Sequence, residues 1–138
     1  MKILLDTNVV LDLLLAREPF VRQAREIFLM VENGRIEGFL CATSIVTLHY
    51  LVGKQKGRTE ADSVISDLLS LFQIASVDKS VLLHASANNG NNYEDSVIYT
   101  AAERNGVDMI VTRDTKGFAR SRVTVMSPEV FLAGMGEW

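Results

Sequence analysis

Cysteine is nearly absent. With Cys41 alone, no intramolecular disulfide can form, so the fold must hold by packing and a reducing compartment is its natural home. Nor does any apolar run approach the ~20 residues needed to cross a bilayer. The opening Met1-Lys2-Ile3-Leu4-Leu5 reaches Asp6 too soon for a signal-peptide core, and Val9 to Ala16 is interrupted by Asp12. A cytoplasmic protein without a membrane partner is therefore expected. An excess of positive charge is missing too. Fourteen Lys and Arg against 17 Asp and Glu leave a net charge of -3, which excludes a protein that coats nucleic acid by overall charge. Internal repeats and linker segments are also lacking. At 138 residues, 48% hydrophobic and 22% charged, residues 1–138 are expected to form a single domain with a substantial core, and disorder and disulfide scaffolds are excluded.

What is present alternates. Lys2 to Leu5 reads as a buried strand that stops at Asp6-Thr7-Asn8, residues that favour turns and caps. Phe20, Ala24, Ile27, Phe28 and Val31 recur at helical spacing between Pro19 and Asn33, with Gly34 as the stop. Ile36 to Cys41 is a short strand. A helix capped by Thr43 or Ser44 then runs to near Gly53, followed by a polar loop and a second helical stripe from Ala61 to Phe72. Ile74 to Val77 reads as a strand and Val81 to Ala87 as a helix. Asn88 to Asn92 is a break, Glu94 to Asn105 a helix, and Met109 to Thr112 and Val123 to Met126 are strands before a last short helix at Pro128. Such alternation predicts an α/β fold, a three-layer α/β/α sandwich around a mainly parallel sheet. Sheets of this kind bind ligands at the C-terminal ends of their strands, which directs attention to Asp6 and to Arg113-Asp114.

Three motifs place an acid at an element boundary: Leu5-Asp6-Thr7-Asn8, Tyr93-Glu94-Asp95-Ser96-Val97-Ile98, and Val111-Thr112-Arg113-Asp114-Thr115-Lys116-Gly117-Phe118. If the sheet gathers Asp6, Asp95 and Asp114, their repulsion calls for a cation. Mg²⁺ suits oxygen-only ligands and retains waters, one of which can attack phosphorus, so phosphodiester hydrolysis is the chemistry suggested. On a helical wheel Glu94 projects near the middle of the buried face and Asp95 at its edge, so periodicity does not choose between them.

In order and position these motifs resemble the PIN domain, the fold of VapC-type toxin ribonucleases, over nearly the whole chain. The most specific match is Ile3-Leu4-Leu5-Asp6-Thr7-Asn8-Val9-Val10-Leu11-Asp12; Asp95-Ser96-Val97-Ile98 and Val111-Thr112-Arg113-Asp114 follow. The resemblance implies an endoribonuclease dependent on Mg²⁺ or Mn²⁺, acting on RNA, paired with an antitoxin and homodimeric. It implies Asp6, Asp95 and Asp114 as catalytic metal ligands, Thr7 and Asn8 as residues orienting the first acid, and Glu94 as a reserve ligand. One departure stands out. The family usually carries a further acid in the helix after the second strand, where this sequence has Thr47 and His49, and no Asp or Glu lies between Glu37 and Glu60.

That departure keeps a second function class open, a weakened PIN domain that binds RNA or protein without turnover. A phosphatase using an aspartyl-phosphate at Asp6 is disfavoured, because Asn8 stands where its general acid belongs. Arg113, Lys116, Arg120 and Arg122 against Asp114 give a local charge of +3 beside a proposed ligand, and Arg113 and Lys116 are the expected contacts to the RNA backbone. Lys54, Lys56 and Arg58 read equally well as solvated surface. Tyr93 and Phe118 can stack a base or pack in the core. Asp12 is expected to face solvent or cap, His49 to be a hydrogen-bonded structural histidine, and Cys41 to be a small core residue.

Overall fold

The computed structural model describes residues 1–88 and 92–135. Strand β1 (Lys2–Leu5) shows how the architecture follows from the sequence. Ile3, Leu4 and Leu5 are fully buried. Because successive strand residues point to opposite faces, Ile3 and Leu5 enter one core and Leu4 the other, which is what a parallel sheet covered on both sides requires. β1 is the centre of five parallel strands, with β2 (Glu37–Cys41) and β3 (Gln73–Ala75) on one side and β4 (Met109–Val111) and β5 (Thr124–Met126) on the other, in the order β3-β2-β1-β4-β5.

Helices α1 (Thr7–Leu14), α2 (Val21–Glu32), α3 (Ala42–Lys56), α4 (Arg58–Leu71) and α7 (Pro128–Met135) bury apolar residues against the Ile3 and Leu5 face. Helices α5 (Lys79–Asn88) and α6 (Tyr93–Arg104) cover the Leu4 face. The result is the α/β/α sandwich expected from the alternation. The chain leaves β1 toward β2 and later returns to β4 on its other side, so strand order switches direction between β1 and β4. Clefts open at such points, beyond the strand C-termini. Among the described residues no helix is long and apolar enough to cross a membrane.

Several local expectations are corrected. The residues after Asn8 were given no element, yet they form α1, because Asp6 caps the helix by accepting the Thr7 amide at 2.8 Å and Val9, Val10 and Leu11 face the core. The polar loop after Gly53 shrinks to Gly57, at φ 91°. α3 continues through Gly53 to Lys56, and Gly53 lies against Ala61 of α4. β3 begins and ends earlier than the apolar stretch Ile74 to Val77 suggested. Gly34, at φ 79°, is the stop for α2 that its position predicted. In the Asn88 to Asn92 break, Asn89, Gly90 and Asn91 lie outside the described residues, while Asn92 caps α6 by accepting the Asp95 amide at 3.2 Å.

Leu4 is fully buried between β1 and the α5 and α6 layer, so Leu4→Ala should cost about 2–5 kcal/mol, read from urea unfolding. A loss below about 1 kcal/mol would show that this face is loosely packed.

Candidate functional site

The site begins at the seam between β1 and β4. Leu5 pairs with Val111, and the next amide, that of Asp6, donates to the Val111 carbonyl at 3.0 Å. This carries Asp6 and Thr112 out of the sheet side by side. The Thr112 hydroxyl donates to Asp6 Oδ2 at 2.7 Å, while the Thr7 amide donates to Asp6 Oδ1 at 2.8 Å. Both carboxylate oxygens are thereby oriented. The same Thr112 oxygen accepts from the Asp114 amide at 3.0 Å and from Asn8 Nδ2 at 3.4 Å. Asp114 then caps a 3₁₀ turn (Thr115–Phe118) by accepting the Gly117 amide at 3.3 Å.

The third acid arrives from the opposite layer. Asp95 lies in the first turn of α6, half-buried, with exposed Glu94 beside it. Gly117 is where the two chain segments meet, since a Cβ at this position would collide with Asp95 Oδ2 and lie 2.8 Å from Asp114 Oδ2. A side chain at this position, whose φ is ordinary, would have to displace both carboxylates from their present positions.

Electrostatics registers the convergence. Burial pushes the Asp6 carboxyl above its usual range, and the charges of Glu94 and Asp114 push it further, against the opposing Thr112 and Thr7 hydrogen bonds. Asp95 is raised to about 6 by burial, then by Asp6, Asp114 and Glu94. Glu94 and Asp95 thus both lie close enough to Asp6 to repel it or be repelled by it. Among the described residues, no lysine, arginine or histidine forms an ion pair with any of the four. Uncompensated oxygen donors of this type fit a hard divalent cation. Among the described residues no three His, Cys, Asp or Glu side chains form a ready-made ligand cage.

Other candidates land elsewhere. Thr7 serves Asp6 through its backbone, and its hydroxyl donates to Ser44 Oγ at 3.0 Å. Asn8 accepts the Arg113 amide at 3.3 Å and so acts on the β4 loop more than on Asp6. Thr47 donates to the Thr43 carbonyl, and His49 Nε2 lies 2.7 Å from Asp62 of α4, so α3 adds no acid. Lys116 is exposed beside Asp114. Arg113, expected at the RNA backbone, is already engaged. Its Nε donates to Asp12 Oδ2 at 2.6 Å, its Nη2 donates to Asp12 Oδ1 at 3.1 Å, and its guanidinium lies 3.9 Å from the centre of the Phe20 ring. Asp12, expected to face solvent or cap, is instead 1% exposed, a buried counter-charge to Arg113. Arg120 and Arg122 border a separate cavity of about 180 Å³ with His84, Tyr99 and Glu103, which splits the basic segment. Phe118 is buried edge-on against Tyr99 and belongs to the core. The exposed Tyr93 donates its hydroxyl to the Leu82 carbonyl. Cys41 is buried near Thr43, and burial pushes its thiol up, as suits an inert core residue. Sequence reasoning missed Thr112, Ser44 and Gly117. The only available signal was a hydroxyl at the end of an otherwise apolar strand.

Residues 2–116 match the PIN domain. The chain belongs to the PIN-domain family. It is 23% identical to ribonuclease VapC1 of Aquifex aeolicus over 135 residues, 94% of this chain and 92% of that protein. It also shares its fold with FitAcB from Neisseria gonorrhoeae, with a TM-score of 0.69 at 21% identity over 92% of this chain and 98% of the other. DNA-bound VapBC from Salmonella typhimurium gives 0.70 at 19% identity over 93% and 98%. The matched range contains Asp6, Asp95 and Asp114.

A carboxylate held above its ordinary 3.8 binds its proton more tightly folded than unfolded. Its contribution to stability is therefore full at low pH and is lost as pH rises toward about 6. In metal-free buffer, Asp95→Asn should unfold at a higher temperature than the wild type above pH ~7, with the gap closing toward pH ~4. Thermal unfolding across pH checks this, and a lower Tm for the variant at neutral pH would show that repulsion at Asp95 is outweighed.

Proposed function

We propose that this PIN-domain protein is an endoribonuclease dependent on Mg²⁺ or Mn²⁺ and the toxin half of a toxin–antitoxin pair. The observation that carries the reading is the convergence of Asp6, Glu94, Asp95 and Asp114 from β1, α6 and the β4 loop, with no ion-paired cation among the described residues. Asp6, Asp95 and Asp114 would hold the ion, with Glu94 in reserve. When bound, such an ion supplies Lewis-acid stabilisation of phosphate charge and an activated water. The chain's own residues do the rest. Thr112 and the Thr7 amide fix the two oxygens of Asp6. Asp95, raised by burial and by the neighbouring acids, is a carboxylate that a bound cation would hold ionised. Lys116 offers an exposed positive charge to an RNA phosphate next to Asp114.

Support for an antitoxin partner comes from the VapBC and FitAcB assemblies named for the structural neighbours. A homodimer and a cytoplasmic setting complete the proposal. A second reading, RNA or protein binding without turnover, is favoured by one observation: Thr47 and His49 make their hydrogen bonds away from the acids, so α3 lends the site no carboxylate.

The deciding experiment incubates purified protein and Mg²⁺ or Mn²⁺ with RNA pools that include transfer RNA and structured loops. Cleavage should stop with chelator and fall by about two orders of magnitude in Asp6→Asn, whose fold should persist because Asn also caps helices. RNA retention without cleavage by folded protein would select the second reading. Lys116→Glu should weaken RNA affinity and reduce the salt slope by about one ion, with a smaller effect for Lys56→Glu. Equal losses at the two lysines would mean that only bulk charge is felt.

A further inference from the structure

Arg113 immediately precedes Asp114, yet its guanidinium is turned away from the acids into α1. Asn8 and Asp12 stand one helical turn apart on the same face of α1, and both grip this one residue. Asn8 accepts its backbone amide at 3.3 Å, while Asp12 takes its side chain in a two-pronged pair at 2.6 and 3.1 Å. Phe20 closes the flat face of the guanidinium at 3.9 Å. Asp12 is 1% exposed and has Arg17 Nη1 at only 4.0 Å, so Arg113 is its principal counter-charge. A bidentate pair of this geometry gives both strength and a fixed direction.

We infer that Asp12 is a positioning residue: by clamping Arg113 it fixes the loop that carries Asp114 and keeps the nearest guanidinium from neutralising the acid cluster. The second half rests on the divalent-cation reading above, and the first does not. Buried pairs add little net stability over well-packed apolar residues, so a pair placed here answers a need for direction and charge placement. Without Asp12, Arg113 would have uncompensated carboxylates as its nearest alternative partners and would compete with the cation for them.

The test compares the wild type with Asp12→Asn, Arg113→Gln, the double variant Asp12→Asn/Arg113→Gln, and Asp62→Asn as a surface charge control on α4. Mn²⁺ binding is followed by electron paramagnetic resonance, and amide hydrogen exchange by residue. Asp12→Asn should weaken Mn²⁺ binding about tenfold, in the range for residues that support metal ligands, and the loss should persist at ~1 M salt, where the screening length is about 3 Å. The double variant should recover most of that affinity, since the competing cation is gone, and Asp62→Asn should match the wild type. Exchange at the Asp114 and Gly117 amides should quicken in Asp12→Asn while the β1 amides stay protected, which also shows that the variant is folded. A double variant no better than the single would overturn the charge role, and unchanged exchange at Asp114 and Gly117 would overturn the positioning role. If the wild type takes up no Mn²⁺, the cation reading fails and the charge role with it, while exchange still decides the positioning role. Should Asp12→Asn fail to fold, Arg113→Gln carries the exchange test, because it breaks the same clamp from the other side.

Discussion

The structure depends on the register between β1 and β4. Leu5 opposite Val111 places Asp6 and Thr112 at adjacent strand ends, where the 2.7 Å hydrogen bond between their side chains closes the seam. A slip of one residue would turn every side chain of β1 to the opposite face, exchanging the partners of Ile3, Leu4 and Leu5 in two different cores. Hydrophobic burial on both faces therefore forbids the slip, and the position of Asp6 is inherited from that prohibition. Asp114 follows from the same constraint, because its amide and the Asp6 carboxylate share the Thr112 hydroxyl.

Against this rigid seam stands an electrostatic cost. Burial and mutual repulsion raise Asp6 and Asp95, and the fold supplies hydrogen bonds at Asp6 in place of a neutralising cation. The contrast with Asp12 is instructive. That carboxylate is buried more deeply, yet it has a bidentate arginine. Between the N-cap of α1 and its second turn, the protein pairs one buried acid with an arginine and leaves the other exposed to like charge. Perturbed carboxylates of this kind cluster at functional sites, where uncompensated charge has a use that stability alone does not give it.

Much of this was legible. Strands apolar on both faces, helical stripes and the stop at Gly34 are local signals, and local signals survive because backbone propensity and burial agree there. α1 was obscured because its apolar residues, Val9 to Leu11, are contiguous and show no clear period. The length of α3 was obscured because glycine within a helix looks like a break until a partner helix is seen packed against it, as α4 is on Gly53. Gly117 shows the same effect at the site, where the space it leaves is filled by Asp95, distant in sequence, together with the local Asp114.

The sequence by itself determined the layered α/β architecture, the parallel sheet, and the three boundary acids, because strand periodicity and capping chemistry are written in runs of a few residues. Tertiary structure alone decided which charges meet. Arg113 and Lys116 are equivalent cations beside Asp114 in the sequence, but α1 lies close enough for Asp12 to take the first and leave the second in solvent. Coulombic and hydrogen-bond partners are set by distances of a few ångströms between segments a hundred residues apart, and no local pattern encodes such distances.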